Sequence, residues 1–221
     1  MTMQEAMKLR HTVRRYTDRK ISEALLARLT ERLRGYHEQY GLSMKLVTEN
    51  RDAFGPLLRL VLAKGVQNYV VLAGPDRPET GERIGRCGAD FMLFAQTLGL
   101  NTWWVGGTFS RGGVGKHVPK GEKLLGLIAL GYGADQGRPH KSKKPEEIAG
   151  YSGDWPAWFT AGVEATLLAP TALNKQAFSI RGEGRRVSMT CDNGVFSGVD
   201  LGIGKYHFEL GAGRENFEWA P

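Results

Sequence analysis

The stretch "LLGLIALGY" at residues 124–132 is an almost continuous apolar run of strand length. Such a run predicts a strand that is buried on both of its faces. Three shorter stretches predict further strands: "SMKLVT" (43–48), "QNYVVLAG" (67–74) and "NTWWVGG" (101–107). The last of these runs directly into a pair of glycines.

Helical patterns lie between these strands. Residues 21–41 carry a leucine and tyrosine stripe, with Ser22 placed to cap the helix and Gly41 placed to end it. Residues 57–65 predict a short helix, and residues 88–100 predict a longer one that closes at Gly99.

A segment rich in glycine, proline and charge, residues 133–154, is the clearest internal boundary. Asp154 at its end is predicted to cap a helix with an aromatic stripe. Residues 178–190 predict a hairpin that turns at "GEG", and residues 199–211 predict another helix. Helices and short strands alternate unevenly, which favours an α+β protein. We expect two unequal halves around one shared core, residues 1–150 and 151–221.

Composition excludes several classes of protein. The chain has 221 residues, of which 41% are hydrophobic, and no apolar run reaches the ~18 residues of a membrane span. The amino terminus lacks the long apolar region of a secretion signal. Cys87 and Cys191 show no paired spacing, which favours reduced thiols in a cytoplasmic protein. The net charge of +7 favours an anionic partner, although it could also serve only solubility.

Two basic motifs could hold an anion. In "RHTVRRY" (10–16), Arg10, Thr12 and Arg14 alternate, and two guanidinium groups with a hydroxyl would suit a phosphate dianion. "HKSKK" (140–144) adds a basic cluster. Each could equally be a solvated basic surface.

Two further motifs could contact a flat polar ligand. In "WWVGGTF" (103–109), Gly106 and Gly107 would allow close approach of a ring, or simply form a turn. In "PTALNKQ" (170–176), Asn174 and Gln176 offer donors and acceptors to a ligand, or could satisfy backbone groups at a helix end.

Other motifs of catalysis are missing or incomplete. "SRGGVGKH" (110–117) is similar to a phosphate-binding loop, but Ser110 stands where its first glycine belongs and His117 where a magnesium-binding hydroxyl belongs. The histidines and cysteines show no metal-ligand spacing, so no metal is expected. No GxSxG motif is present.

Together, "RHTVRRYTDRKI", "GLNTWWVGGTF", the segment "LLGLIALGYGADQGRPHKSKKPEEI" and "APTALNKQAF" resemble the FMN-dependent nitroreductase family. The resemblance implies a central, mostly antiparallel sheet flanked by helices. The motif order departs from the usual one, because the Asn-x-Gln segment follows the basic loop. The chain therefore resembles a pseudo-dimeric subfamily in which residues 151–221 complete a flavin site that relatives complete by dimerising. A monomer is then feasible and a homodimer possible.

The resemblance also implies roles for individual residues. Arg10, His11, Thr12 and Arg14 would bind the FMN phosphate and its surroundings, and Lys141 and Lys143 would close that site. Trp104, Val105, Gly106 and Gly107 would line the isoalloxazine ring. Pro170, Thr171, Asn174 and Gln176 would contact the flavin from the second half.

The implied activity is that of an NAD(P)H oxidoreductase. NADH or NADPH would pass a hydride to flavin N5, and a nitroaromatic, a quinone or a similar small-molecule acceptor would then be reduced in a ping-pong scheme. The flavin carries the chemistry, so no catalytic side chain is expected. A flavin-binding storage or sensing protein of the same fold is the alternative. A nucleic-acid-binding module is disfavoured because the basic residues are split between distant loops, and no membrane partner is expected.

Overall fold

The computed structural model describes residues 1–220, which form two compact units. One unit, here called the Arg10 unit, comprises residues 10–80 and 91–139. The other, the Gln176 unit, comprises the described residues of segments 1–9, 81–90 and 140–221. Each is described separately. The predicted halves, 1–150 and 151–221, are a different division of the chain and stay a prediction.

The sheet of the Arg10 unit has the strand order β1-β2-β4-β3, and every pair in it is antiparallel. Its strands are β1 (Lys45–Val47), β2 (Asn68–Pro75), β3 (Asn101–Val105) and β4 (Glu122–Gly131). The apolar stretch 124–132 supplies most of β4, which lies between β2 and β3. This position confirms that the stretch is a buried strand, and it confirms a mostly antiparallel sheet.

The helices of this unit are α2 (Glu23–Tyr40), α3 (Pro56–Val61), α5 (Arg111–Gly115) and the later part of α4 (Thr80–Thr97), whose residues 81–90 belong to the Gln176 unit. Of these helices, α2 follows its predicted bounds closely, α3 ends before the predicted residue 65, and α5 was not predicted. Ser22 caps α2, and Gly41 ends it in the left-handed conformation with a φ of 66°. α4 begins eight residues before residue 88, so the predicted start was wrong.

Replacing Ser22 by alanine is expected to destabilise the protein by about 1 kcal/mol, because the hydroxyl that accepts a hydrogen bond from Leu25 N is lost. Urea unfolding at neutral pH measures the change. Ser22→Asp keeps a capping acceptor and should unfold close to the wild type. Equal losses in both variants would contradict a capping role.

A single hydrophobic cluster lines one face of this sheet. Phe54 and Trp103 stack there with ring centroids 5.6 Å apart. Val13 and Tyr16 are part of the same cluster, and the hydroxyl of Tyr16 donates to Ala129 O over 3.2 Å. The motif "RHTVRRY" is therefore anchored in the core by its apolar residues.

The Gln176 unit contains a second four-stranded sheet, in the order β5-β6-β7-β8. Its strands are β5 (Ala149–Tyr151), β6 (Phe178–Glu183), β7 (Arg186–Cys191) and β8 (Glu218–Trp219). β6 and β7 form the predicted hairpin, with Glu183 paired to Arg186, whereas the other two pairs are parallel.

The helices of the Gln176 unit correct one prediction, the cap of α7. They are α1 (Met3–Leu9), α6 (Pro145–Ile148), α7 (Ala157–Thr166), α8 (Ser197–Ala212) and the first part of α4. The predicted boundary at 133–154 includes the point between residues 139 and 140 where the chain passes from one unit to the other, and it also contains α6 and all of β5. The cap of α7 is Pro156 rather than Asp154. No helix within residues 1–220 is long and apolar enough to cross a membrane.

Candidate functional site

The segment that carries "RHTVRRY" is held by backbone hydrogen bonds within the Arg10 unit. Val13 N donates to Thr102 O of the edge strand β3 over 3.1 Å. Thr17 N donates over 2.8 Å to Tyr132 O, just after β4. Segment 10–17 is therefore fixed at the edge of the sheet, and its side chains are presented in a defined way.

Arg10 carries a buried positive charge. Arg10 is only 6% exposed. Its Nη1 has no hydrogen-bond partner among residues 1–220. Burial lowers the pKa of Arg10 to about 10, while the Tyr16 side chain opposes the change. Arg10 is thus still charged at neutral pH. A buried and unpaired charge is costly, so this atom is suited to an anion.

The neighbours of Arg10 lie in different environments. Arg14 is exposed, and its guanidinium carbon lies 5.4 Å from the centroid of the Trp103 ring. Thr12 is half-buried and forms a parallel bridge with Thr102. His11 is also half-buried. Joint binding of one phosphate by Arg10, Thr12 and Arg14 stays a prediction.

The end of β3 offers backbone with free space beside it. Trp104 and Gly106 are half-buried, Val105 is buried and Gly107 is exposed. A Cβ added at Gly107 would meet no heavy atom within 4 Å. Packing within the protein therefore does not require glycine at this position, and the space is open to a flat ligand.

In the Gln176 unit, the amide of Gln176 joins the polar segment to the basic loop. Gln176 is 1% exposed. Its Oε1 accepts a hydrogen bond from Lys143 N over 2.7 Å, and its Nε2 donates to Leu167 O over 2.8 Å. His140 Nε2 lies 3.1 Å from the same Nε2. Both ends of the amide are thus occupied by protein.

Asn174 and the side chain of Lys143 complete this connection between the polar segment and the basic loop. Asn174 Nδ2 donates to Lys141 O over 2.7 Å, and Lys143 Nζ donates to Gln176 O over 3.0 Å. Thr171 Oγ1 accepts from Gln176 N. Of the two sequence-based hypotheses for this segment, the structure shows the satisfaction of backbone groups. A flavin contact by these residues stays a prediction, and a direct one from Gln176 would displace a protein bond.

The backbone of the same segment is strained. Leu173, Asn174 and Gln176 have φ values of 54°, 54° and 46°, in the left-handed region that residues other than glycine rarely adopt. Each such residue costs about 1 kcal/mol or more. The hydrogen bonds of Gln176 hold this conformation in place, and the Leu173 side chain is left 90% exposed.

Asp200 supports the segment from α8, and sequence reasoning missed it. Its carboxylate accepts from Ala172 N at 3.1 and 3.2 Å. Burial raises the pKa of Asp200 to about 6, Asp192 adds to the rise, and the Ala172 N–H and Lys175 oppose it. An acid in the first turn of a helix is ordinary, so no sequence signal marked this residue.

Asp200→Asn is expected to gain stability relative to the wild type as the pH rises from about 4 to about 6. In that window the unfolded chain, with an aspartate pKa of about 4, loses its proton before the folded protein does, which lowers the stability of the wild type. Asparagine cannot ionise but keeps an acceptor for Ala172 N. Urea unfolding of both proteins at several pH values tests this, and parallel stability profiles would refute it.

Metal binding finds no support in this geometry. Within residues 1–220, no three histidine, cysteine or acidic side chains are grouped as metal ligands. Cys87 and Cys191 are not joined by a disulfide.

A family model described as "Putative TM nitroreductase" matches residues 2–212. The chain belongs to this nitroreductase family. Membership agrees with the resemblance predicted from the four motifs. The nitroreductase-like α+β fold is also confirmed, whereas FMN dependence and the subfamily with two halves stay proposals. A search of curated proteins found no match.

Solved structures support this nitroreductase fold. A "putative nitroreductase" from Thermotoga maritima is 22% identical, with a TM-score of 0.70 over 97% of this chain and 85% of that chain. A "Putative NADH dehydrogenase/NAD(P)H nitroreductase" from Parabacteroides distasonis is 17% identical, with a TM-score of 0.53 over 70% of this chain and 100% of that chain. A nitroreductase family protein from Streptococcus pneumoniae is 14% identical, with a TM-score of 0.53 over 66% of this chain and 98% of that chain.

In this member of the nitroreductase family, the predicted site residues fall into two groups. Eight lie in the Arg10 unit, and six lie in the Gln176 unit. Those of the first group are Arg10, His11, Thr12, Arg14, Trp104, Val105, Gly106 and Gly107. Those of the second are Lys141, Lys143, Pro170, Thr171, Asn174 and Gln176. Members of the second group are connected to one another by hydrogen bonds, and their part in ligand binding stays a prediction.

Proposed function

We propose that this nitroreductase is an FMN-dependent NAD(P)H oxidoreductase. The observation that carries the proposal is the buried guanidinium of Arg10, whose Nη1 has no partner in the described chain. A buried charge normally has a counter-charge. The FMN phosphate is a dianion whose oxygens suit a guanidinium, and the residues present therefore fit the cofactor.

The residues of the Arg10 unit would divide the work of binding. Arg10 would hold the phosphate from a position that backbone bonds keep fixed, and Thr12 and Arg14 would add a hydroxyl and a second cation. The backbone after Trp104 would lie along the isoalloxazine ring, because open space adjoins Gly107. Rigid placement of such groups lowers the entropic cost of binding.

FMN bound there would supply the redox chemistry, taking a hydride from NADH or NADPH and passing electrons to a nitroaromatic, a quinone or a similar small acceptor. The printed name of the Parabacteroides distasonis structure supports a nicotinamide donor. The protein groups would bind and orient, and no side chain need exchange a proton with the substrate.

The visible absorption spectrum of the purified protein tests the proposal first. We expect a flavin spectrum, or quenching of flavin fluorescence when FMN is titrated into colourless protein. Failure to bind FMN in excess would refute the proposal. Anaerobic mixing with NADH or NADPH then separates an enzyme, whose flavin absorbance is bleached rapidly, from a flavin-storage protein, whose absorbance persists.

A further inference from the structure

One face of α3 in the Arg10 unit is apolar and exposed. Leu57, Leu60 and Val61 are 73%, 76% and 71% exposed. Their spacing of three and four residues places the three side chains on the same face of the helix. Single exposed apolar residues are ordinary, but a contiguous patch on one face indicates a binding surface. We call these three residues the α3 patch.

The α3 patch stands on a well-anchored helix. Leu58 and Leu62, on the other side of α3, pack against the hydrophobic cluster of the sheet. Phe54, just before the helix, is buried and stacks on Trp103. These three residues face the core of the unit, whereas the side chains of the α3 patch are left exposed.

The chain around the α3 patch is basic. Arg51, Arg59 and Lys64 flank or interrupt the helix. The one acidic residue between positions 51 and 67 is Asp52, which forms an ion pair with Lys116. The patch thus combines aliphatic side chains with an excess of positive charge.

We propose that the α3 patch binds the surface of a lipid bilayer that carries anionic headgroups. Burial of an apolar face at the acyl boundary, together with attraction between cations and anionic lipid, is how surface helices bind membranes. This proposal differs from the sequence-based expectation of no membrane partner, and it concerns the membrane surface alone. It is independent of the proposed redox function.

A protein partner fits the α3 patch less well. A stable protein interface buries ~800 Å² on each side, well beyond what three side chains offer. Its energetic centre is usually rich in tryptophan, tyrosine and arginine, whereas leucine and valine are under-represented. A second copy of this chain, packed patch to patch, would also bring like charges together. A bilayer requires neither shape complementarity nor hydrogen-bonding partners.

Co-sedimentation of the full-length protein with lipid vesicles tests the proposal. We expect binding to vesicles of phosphatidylcholine with phosphatidylserine, and weak binding to phosphatidylcholine alone. The combined variant Leu57→Gln, Leu60→Gln and Val61→Gln should bind the anionic vesicles more than about tenfold less tightly. The pair Arg59→Gln and Lys64→Gln should lose about fivefold for each cation.

Val195→Gln is the matched control, because Val195 is 97% exposed and lies far along the chain from α3. It should bind vesicles like the wild type. Circular dichroism and thermal melting check that every variant folds, which surface changes are expected to allow.

Three results would overturn the proposal. The first is no binding of the wild type to anionic vesicles, or equal binding by the triple glutamine variant. The second is a wild-type dimer in sedimentation that the triple variant loses, which would assign the patch to a second copy. The third is binding of polyglutamate that the triple variant loses while vesicle binding is kept, which would assign the patch to an acidic protein.

Discussion

Replacing Arg10 by methionine is expected to weaken FMN binding about a hundredfold, because a charge-assisted hydrogen bond to the phosphate is lost in a buried place. The same change should leave the protein without flavin at least as stable as the wild type. Methionine has a similar length and removes a buried charge that has no partner among the described residues. Fluorescence titration with FMN and urea unfolding of the flavin-free protein measure the two effects.

Arg15→Met is the matched control for this prediction. Arg15 lies in the same segment but is exposed, and no role in ligand binding is predicted for it. It should keep wild-type affinity for FMN. If Arg10→Met also kept that affinity, the assignment of the phosphate site would be wrong. If it unfolded instead, Arg10 would be shown to stabilise the protein without a ligand.

Gln176→Ala is expected to destabilise the protein by about 3 kcal/mol, because it removes a buried amide that accepts a half-buried hydrogen bond from Lys143 N and donates one to Leu167 O. The strained backbone at residues 173–176 also loses the contacts that hold it. Urea unfolding measures the loss. In the Gln176→Ala variant, the amide hydrogen of Lys143 should exchange much faster than it does in the wild type.

Asn174→Ala serves as the comparison, because it removes a single hydrogen bond, to Lys141 O, at an exposed position. Its cost should stay below that of Gln176→Ala, since it combines the loss of one exposed hydrogen bond with the lower tolerance of alanine for the left-handed conformation at residue 174. A Gln176→Ala variant with wild-type stability and slow exchange at Lys143 would show that the amide does not hold the basic loop.

The sequence predicted those elements whose pattern is local. The apolar run of β4 and the cap and stop signals of α2 act within a few residues, and the structure keeps them. The first part of α4 was missed because "TGERIGRC" (80–87) has two glycines and no apolar stripe. Gly85 serves close packing instead: a Cβ on it would lie 2.1 Å from Val199 O. Such a contact joins distant parts of the chain and leaves no local pattern.

A local backbone preference also explains why the predicted cap of α7 was wrong. A residue before proline is disfavoured in the helical conformation, so Trp155 stays outside the helix and Pro156 becomes its cap. Asp154 is then too far from the first turn of α7 to cap it. The short α6 and β5 were missed for another reason, since β5 exists through parallel pairing of Ala149 with Ile180.

The candidate site was predictable in its residue types and less so in their roles. "RHTVRRY" identified Arg10, but the burial that makes it unusual depends on folding. An amide such as that of Gln176 has the same donors and acceptors whether it faces a ligand or the backbone. Only the positions of Lys143 and Leu167, 33 and 9 residues away, show which partners it takes.

The position of segment 10–17 has a consequence for aggregation. β3, with the sequence "NTWWV", is an edge strand rich in aromatic residues, which is a template for strand pairing between molecules. The bridge from Thr12 to Thr102 and the bond from Val13 N occupy part of that edge. The segment that presents Arg10 therefore also shields the sheet from intermolecular pairing, and a ligand that holds it in place would slow fibril formation on heating.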